Sequence, residues 1–387
     1  MCRTCAVLAA AYNVSAGGVA ALNEAERNLT AVLAAAGVRA VDVQVRDRTP
    51  KRSAIPFCFQ DWHHPGLARV RRKYQLEEAI GGGKSEFERM LLLRKRVHDA
   101  IPSGAPAHGV LDVEAILDAA AKGGKFYCTH YAWTYMSLAV ALGWQARKLG
   151  VDSRHDFNED STHHGVAEIW SNDFAKWFVV DAMYDQHYEK DGVPLSALEL
   201  RDEVIRNGCA DVETRVGPER RLAAIGSKGR AFDSPECYFW FHVATRNDFF
   251  SLPERFGNYR QMLYMDGAGK SAVWYQGKGT EGKSYPHVSY RGMFQLTENA
   301  ADLYPEIGTL GLAFDGKGKR GAVTVTARHF TPNFKCLRVE TNGRSRHYRG
   351  DSFTWRPAKG RNALVVRTVN LAGITGPPAS VSLFVEG

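Results

Sequence analysis

One cysteine of this chain stands at the start of a stretch with helical periodicity. The stretch, residues 123–147, reads GGKFYCTHYAWTYMSLAVALGWQAR and begins its apolar stripe at Cys128. The stripe continues at three- and four-residue spacing through Ala132, Tyr135, Ala139 and Leu142. A helix N-terminus carries unpaired N–H groups and a partial positive charge, which favour a thiolate over a thiol. The pattern therefore indicates an activated nucleophile, against the alternative of a buried cysteine that packs as a small hydrophobe.

A histidine and an aspartate follow on a predicted β-hairpin. Two strand-like runs, Gly165–Trp170 and Lys176–Met183, flank the polar turn Ser171–Phe174. Directly opposed Cβ atoms in such a hairpin lie about 4.5–5.5 Å apart, close enough for a carboxylate to hold an imidazole. With those four turn residues as the loop, the cross-strand partners are Trp170 with Ala175, Glu168 with Trp177, and His164 with Asp181.

These residues have the types and the order that acyl transfer through a thiol requires. Cys128 would attack a carbonyl carbon, His164 would take or share its proton, and Asp181 would orient the imidazole and stabilise the imidazolium. His163 is a rival base, but strand alternation sends it to the face opposite that of His164. The sequence therefore predicts Cys128, His164 and Asp181 as the catalytic residues.

Further motifs surround the three residues. The segment ALGWQARKLG, residues 141–150, has the pattern Leu-Gly-x-x-Ala-Arg after the cysteine helix. An alanine lies four residues after the cysteine, an acidic residue four after the histidine, and a tryptophan four before the aspartate, at Ala132, Glu168 and Trp177. In these motifs, residues 86–188 resemble the transglutaminase-like superfamily, which has a papain-like catalytic core. The resemblance implies the roles of nucleophile, base and orienting acid for Cys128, His164 and Asp181.

The chain departs from that family's pattern at one position, and its motifs do not identify the second oxyanion donor. The family usually has glycine two residues before the cysteine, where this chain has Phe126. An oxyanion hole needs a second donor beside the Cys128 N–H. Gln60 and Trp62 are the candidates for that donor.

A metal-binding alternative arises in the segment Asp152–Gly165, DSRHDFNEDSTHHG, which is rich in histidine and carboxylates. It contains no H-E-x-x-H spacing, so a polar loop is favoured. Cys2 and Cys5 form a lone C-x-x-C without a second pair at zinc spacing. Because no EF-hand loop or nucleotide loop occurs either, we expect no metal and no cofactor.

Composition and charge are those of an ordinary globular protein. Of the 387 residues, 44% are hydrophobic and 24% are charged, which excludes a disordered class. The net charge is +8, but its one dense basic run, Ala68–Gln75, is typical of a solvated helix face, so no nucleic-acid partner is expected. No apolar stretch reaches the length of about 18 residues that spans a membrane. Seven cysteines cannot all pair, which excludes a complete disulfide framework.

Changes in pattern divide the chain into consecutive regions. The last region, residues 296–387, has short β-rich runs separated by Gly, Pro and Asn, and its end resembles immunoglobulin-like and fibronectin-like β-sandwiches. The predicted regions are a helical or irregular segment at 1–65, a transglutaminase-like core at 66–200, a β-rich extension without assigned chemistry at 201–295, and the sandwich at 296–387. Predicted helices cover Glu24–Ala36, Ser85–Ile101 and Asp112–Lys122.

The resemblance implies an α+β enzyme that acts on protein or peptide amide bonds through a thioester at Cys128. Hydrolysis is favoured over crosslinking because no calcium motif occurs. The alternative is a non-catalytic binding protein whose core and sandwich dock a protein or polysaccharide surface. The opening MCRTCAVLAAAYNVSAGG weakly resembles a truncated signal sequence, and with the sandwich it favours an exported protein.

Overall fold

The computed structural model describes residues 16–106, 112–153, 163–223, 234–251, 261–269, 294–316 and 320–387, with only the backbone of 16–23 and 294. Helices dominate before residue 142 and strands after it, so the predicted α+β class is confirmed at this level. No helix in these ranges is long and apolar enough to cross a membrane. Cys2 and Cys5 lie outside the described ranges, within which every cysteine is a free thiol.

The helices lie mostly in the first third of the chain. Short 3-10 turns also occur at Pro235–Tyr238 and Phe249–Ser251. The α-helices of the described ranges are α1 (Ala16–Ala35), α2 (Pro65–Lys73), α3 (Leu76–Ile80), α4 (Glu86–Ala100), α5 (Val113–Ala120), α6 (Cys128–Ala141), α7 (Ala197–Asn207) and α8 (Ala300–Leu303).

One strand lies early in the chain. The other strands follow helix α6 and fill most of the second half of the chain. They are β1 (Ala40–Arg46), β2 (Ala146–Asp152), β3 (His164–Ser171), β4 (Lys176–Val180), β5 (Gln186–Lys190), β6 (Val193–Pro194), β7 (Glu213–Val216), β8 (Arg221–Leu222), β9 (Trp240–Ala244), β10 (Gln261–Tyr264), β11 (Phe294–Thr297), β12 (Leu310–Asp315), β13 (Val323–His329), β14 (Phe334–Thr341), β15 (Arg344–Tyr348), β16 (Ser352–Trp355), β17 (Gly360–Asn370) and β18 (Ala379–Val385).

Local side-chain bonds explain where two of the predicted helices begin. Ser85 caps α4, because its Oγ accepts a hydrogen bond from Glu88 N at 3.1 Å. The Glu88 carboxylate accepts from Lys84 N at 2.7 Å, one residue earlier than in a capping box. Asp112 caps α5 in the same way, with Ala115 N as the donor at 2.9 Å. The polar residue before each apolar run thus fixes the start of each helix.

The chain forms two compact units. One combines residues 1–52 with 305–387, and the other is the intervening segment 53–304. This division differs from the four consecutive regions predicted above. The physical reason is that β1 pairs antiparallel with β18, where Ala40 lies opposite Val385. A pairing between segments so far apart in sequence leaves no local pattern from which it could be predicted.

The unit at 53–304 is built on a six-stranded sheet of order β11-β10-β9-β2-β3-β4. All neighbours are antiparallel except β10 and β11. Helix α6 packs against β2 and β3 at the centre of this sheet. The extension predicted at 201–295 supplies β9, β10 and part of β11, so it continues the sheet that carries the candidate site. A smaller sheet has the order β6-β5-β7-β8.

The other unit contains a five-stranded sheet of order β1-β18-β17-β14-β15 and a three-stranded sheet of order β12-β13-β16. Both sheets are antiparallel, and their buried side chains belong to one core that also includes Leu29 and Leu33 of α1. Alternation along β17 and β18 directs one face of these strands into that core. The immunoglobulin-like assignment of this region stays a prediction.

Helix α6 is buried on all sides rather than along a single stripe. Every residue from His130 to Ala141 is buried. The one-sided stripe expected from the sequence is therefore wrong, because the helix lies between the sheet and helices α2, α4 and α5. A central helix of this kind holds its first residue, Cys128, in a fixed position.

A buried ion pair joins the motif residues on the sheet. Arg147 of β2 and Glu168 of β3 lie opposite each other, and Nη2 donates to Glu168 Oε2 at 2.5 Å. The Arg147 guanidinium also lies 4.2 Å from the Trp177 ring centroid. Glu168 Oε1 accepts bonds from Ala197 N at 2.8 Å and from the Tyr304 hydroxyl at 3.0 Å. Glu168 therefore ties the sheet to the start of α7.

Removing the charge of Glu168 tests this structural role. Glu168→Gln is expected to lower the free energy of unfolding by about 3–5 kcal/mol, because it leaves the buried Arg147 charge without compensation. The measurement is urea denaturation followed by circular dichroism. Asp99→Asn is the control, since it breaks the exposed Lys95–Asp99 pair of α4, which is expected to contribute about 0.3–0.5 kcal/mol. Equal losses in both variants would contradict the role of Glu168.

Candidate active site

Cys128 is the first residue of α6, and its thiol faces strand β3. Gly165 N donates a hydrogen bond to Cys128 Sγ at 3.2 Å. The preceding residue, Tyr127, is the N-cap but gives no side-chain cap, and its side chain is largely exposed. The thiol thus lies at the positive end of the α6 dipole, which favours a negative charge.

The segment that leads into Cys128 is held by Phe126. Phe126 N donates to Pro102 O at 2.9 Å, and its carbonyl accepts from Gly104 N at 3.1 Å. The Phe126 ring is buried and lies 5.1 Å from the His130 ring. The residue that departs from the family's usual glycine thus anchors the chain just before the helix begins.

The close contact between α6 and β3 depends on a glycine. A Cβ at Gly165 would lie 2.9 Å from Thr129 Cα and 3.0 Å from Thr129 N. Contacts of that length with backbone atoms do not occur for real side chains, so any larger residue would push the strand and the helix apart. Gly165 therefore permits the distance at which Cys128 and the adjacent His164 meet.

His164 and Asp181 meet as the sequence predicts. His164 Nε2 donates to Asp181 Oδ2 at 2.9 Å, and both side chains are almost fully buried. Because Nε2 is used in this way, the other ring nitrogen, Nδ1, is left for the bond between His164 and the Cys128 thiol. The structure thus brings all three predicted residues together in the order thiol, imidazole, carboxylate.

The predicted register of the hairpin is wrong by two residues. The turn occupies residues 172–175, with Ala175 at φ +51°, and Trp170 lies opposite Trp177. Strand β4 also ends at Val180 rather than Met183. A shift of two positions keeps every side chain on its predicted face, whereas a shift of one would reverse them. For that reason Asp181 still reaches His164, although the two residues are not directly opposed.

A tight turn fixes the position of Asp181. Asp181 Oδ1 accepts bonds from Met183 N at 3.0 Å and from Tyr184 N at 3.2 Å, while the backbone of Asp181 pairs with Gln186. The Tyr184 ring lies 5.4 Å from that of His164. One carboxylate oxygen is thus occupied by the turn, which leaves the other directed at the imidazole.

A buried arginine on helix α4 donates a hydrogen bond to the same turn. Arg94 of α4 donates through Nε to Asp185 Oδ1 at 2.8 Å and through Nη2 to Gly217 O at 2.9 Å. Its Nη1 lies 2.7 Å from His187 Nδ1. Burial, the largest influence on His187, lowers its pKa to about 4. This imidazole is therefore a neutral acceptor at pH 7. Arg94 therefore joins α4, the turn and β5 in a single polar network.

The charges of the site favour a thiolate–imidazolium pair. Burial raises the pKa of Cys128, but the hydrogen bond and charge of His164, the Gly165 N–H and the charge of His163 together lower it to about 7. Burial lowers the pKa of His164, but the charge and hydrogen bond of Asp181 and the contact with Cys128 raise it to about 10. The order of the two pKa values is thus reversed from that of the free side chains, so the ionised pair is favoured between about pH 7 and pH 10.

A lysine that the sequence analysis did not select lies near the thiol. Lys148 is buried on β2, and alternation puts it on the face opposite that of Arg147. Burial lowers the pKa of Lys148 to about 8, although the charges of Cys128 and Asp152 act to raise it. The sequence offered one signal for Lys148. It directly follows Arg147 of the Leu-Gly-x-x-Ala-Arg pattern, so its side chain points to the other face of the strand.

His163, the rival base, has a carboxylate of its own. His163 Nδ1 lies 3.1 Å from Asp152 Oδ1, and its ring is stacked at 6.0 Å on that of His242. His163 and His164 therefore take different partners, Asp152 and Asp181. His242 lies in the segment to which the sequence analysis assigned no chemistry, because its partners come from distant strands.

The two candidates for a second oxyanion donor have other contacts in the structure. Gln60 Nε2 donates to Ser251 Oγ at 2.8 Å. The Trp62 ring lies against the Arg71 guanidinium, 4.5 Å from its centroid. The assignment of Gln60 or Trp62 to an oxyanion hole thus stays a prediction.

No protein-family model matches the chain, and no curated protein matches it significantly.

The role of Gly165 is tested by adding a single methyl group. Gly165→Ala is expected to lower the free energy of unfolding by about 1–3 kcal/mol, because the Cβ overlaps the α6 backbone, and to slow alkylation of Cys128 by separating the thiol from His164. The measurements are thermal unfolding and mass spectrometry after iodoacetamide treatment. Gly82→Ala is the control, since its Cβ would meet only Leu92 Cδ1 at 3.9 Å. A Gly165→Ala variant with normal stability and thiol reactivity would contradict the argument.

Proposed function

We propose that this protein is a cysteine-dependent acyl-transfer enzyme that acts on protein or peptide amide bonds. The observation that carries the proposal is the buried His164–Asp181 bond next to a thiol at a helix N-terminus. Each of the three groups has a partner that suits its role, as in other thiol acyl-transfer centres. The transglutaminase-like resemblance of residues 86–188 adds the papain-like core to this proposal, and the separate resemblance of the C-terminal segment adds the immunoglobulin-like sandwich.

The first chemical step would form a thioester. The Cys128 thiolate attacks the carbonyl carbon, and the C–N bond of the tetrahedral intermediate breaks after the His164 imidazolium gives its proton to the leaving amine. Asp181 holds the Nε2–H, so Nδ1 carries the proton that moves. The Cys128 N–H at the start of α6 would supply one bond to the oxyanion.

The second step would release the acyl group to water. Neutral His164 takes a proton from the water as it attacks the thioester, the C–S bond breaks, and the thiolate returns. Hydrolysis is favoured over transfer to a lysine amine on the ground given for the sequence, namely that no calcium motif occurs. The Lys148 ammonium would stabilise the thiolate through its charge, both before the thioester forms and after it is hydrolysed.

The pH dependence of thiol alkylation tests the ion pair before any substrate is known. The rate at which iodoacetamide alkylates Cys128 should rise with a midpoint near pH 7, in line with the pKa of about 7. In His164→Ala the groups that lower this pKa are reduced while burial still raises it, so the midpoint should move above the free value of about 8.5. The rate at pH 7 should then fall at least about tenfold.

Cys58 serves as the internal control for this experiment, because it is an exposed thiol of the same chain. Its alkylation, followed by peptide mass spectrometry in the same samples, should not respond to His164→Ala. A Cys128 rate that tracks that of Cys58 in both proteins would reject the ion pair and favour the binding-protein alternative.

Product analysis tests the reaction itself. The full chain is incubated with a mixture of denatured proteins and a fluorescent primary amine, and cleaved peptides, deamidated glutamines and amine adducts are measured by mass spectrometry. We expect new hydrolysis products that are absent with Cys128→Ala and reduced by up to about 10⁴-fold with Asp181→Asn, which leaves the imidazole in the wrong tautomer. Predominant amine adducts would instead identify a crosslinking enzyme. Products that persist in Cys128→Ala would overturn the proposal.

A further inference from the structure

We propose that Asp152, His163 and His242 form a binding site for one divalent transition-metal ion of the zinc class. One ligand atom from each of the three side chains lies within 4.8 Å of the other two. This cluster is separate from the His164–Asp181 pair, and within it only the charge of His163 acts on the proposed nucleophile, by lowering the pKa of Cys128. The inference therefore stands or falls independently of the proposed function.

The three side chains come from three segments that the sheet brings together. Asp152 is the last residue of β2, His163 directly precedes β3, and His242 lies on β9. Strand β2 pairs with β3 on one side and with β9 on the other, and Gly150 lies opposite both Gly165 and His242. The backbone hydrogen bonds of three neighbouring strands thus fix the spacing of the cluster.

A glycine provides the space in which the imidazoles lie. A Cβ at Gly150 would overlap the His242 ring and lie 3.0 Å from His163 Cε1. The two rings are stacked at an interplanar angle of 11°. Any other residue at position 150 would displace the rings.

The burial of the ligands is suited to a site that an ion enters from solvent. Asp152 and His242 are almost fully buried, whereas the His163 side chain is 32% exposed. The buried pair supplies rigid ligands, and the exposed histidine lies at the entrance. Tetrahedral metal–ligand bonds of about 2.0–2.2 Å hold ligand atoms about 3.3–3.6 Å apart, so binding of an ion requires the three atoms to move closer together than their present spacing of up to 4.8 Å.

The donor set determines the class of metal. Two imidazoles and one carboxylate suit Zn²⁺, Co²⁺ and Ni²⁺, while Mg²⁺ and Ca²⁺ prefer oxygen ligands. Three protein ligands leave a position for water, as in zinc sites that are open on one side. Metal binding would exchange the bond between His163 and Asp152 for one bond from each residue to the metal.

One charge acts against the ion. The Lys148 ammonium interacts electrostatically with both Asp152 and His242. A dication at the cluster is repelled by this group, so the wild-type site should bind more weakly than the same site without the lysine charge. Removal of the lysine charge should therefore strengthen metal binding, whereas removal of a ligand should weaken it.

The experiment is a titration of the chelator-treated full chain with Co²⁺ and Zn²⁺, followed by the visible d–d spectrum of cobalt and by calorimetry. We expect one bound ion per chain. His163→Asn and His242→Asn should each weaken binding by more than about a hundredfold, since the loss of an outer-shell partner alone costs 10–100-fold. Because His163 is partly exposed, its variant is expected to fold even if His242→Asn does not.

Three further variants complete the test. His329→Asn is the matched control, because His329 and Asp351 also form a histidine–aspartate pair at 3.1 Å, and it should bind metal like the wild type. Cys128→Ser should bind equally well and show that the thiol is not a ligand. Lys148→Met should bind more tightly. Absence of a stoichiometric ion, or unchanged binding in folded His163→Asn, or weaker binding in folded Lys148→Met, would overturn the proposal.

Discussion

The contact between the start of α6 and strand β3 is the constraint on which the candidate site depends. Gly165 allows backbone to approach backbone there, and its N–H donates directly to Cys128 Sγ. A helix N-terminus favours the thiolate, and a base at hydrogen-bond distance favours it further. The missing side chain at position 165 supplies that distance, while the neighbouring residue on the strand, His164, supplies the base.

The two faces of the sheet carry different polar groups. Arg147 and Glu168 lie opposite each other on adjacent strands, and their full complement of partners makes them part of the structure. Lys148, one step along β2, lies on the other face with Asp152 and His242, whereas the register puts His164 on the face of Arg147 and Glu168. The period of two along a strand thus separates a saturated ion pair from a charge that is only partly neutralised. Burial is similar on both faces, so the number of hydrogen-bond partners, rather than exposure, distinguishes them.

The sequence predicted the contact between His164 and Asp181 correctly because its signals were local. Cys128 was placed from helical period, and His164 and Asp181 from one hairpin, whose two-residue register error left the faces unchanged. His242 could not be found in this way, because it joins Asp152 and His163 only through the pairing of β9 with β2, and no local pattern specifies which strands of a sheet become neighbours. The same limit applies to β1, whose partner lies more than three hundred residues away. Patterns of two to four residues report faces and helix ends, whereas long-range pairing depends on the whole sheet.

The pairing of β1 with β18 has a consequence for the order of events during synthesis. Residues 40–46 leave the ribosome early, but their partner at 379–385 is made only after the whole segment 53–304. Until then β1 presents unpaired N–H and C=O groups, which are open to non-native pairing with other chains. If the intervening unit folds first, the loop that β1 and β18 must close is shortened in effect, and its entropic cost falls. In that case the inserted unit acts as a folded spacer between the two chain segments of the other unit.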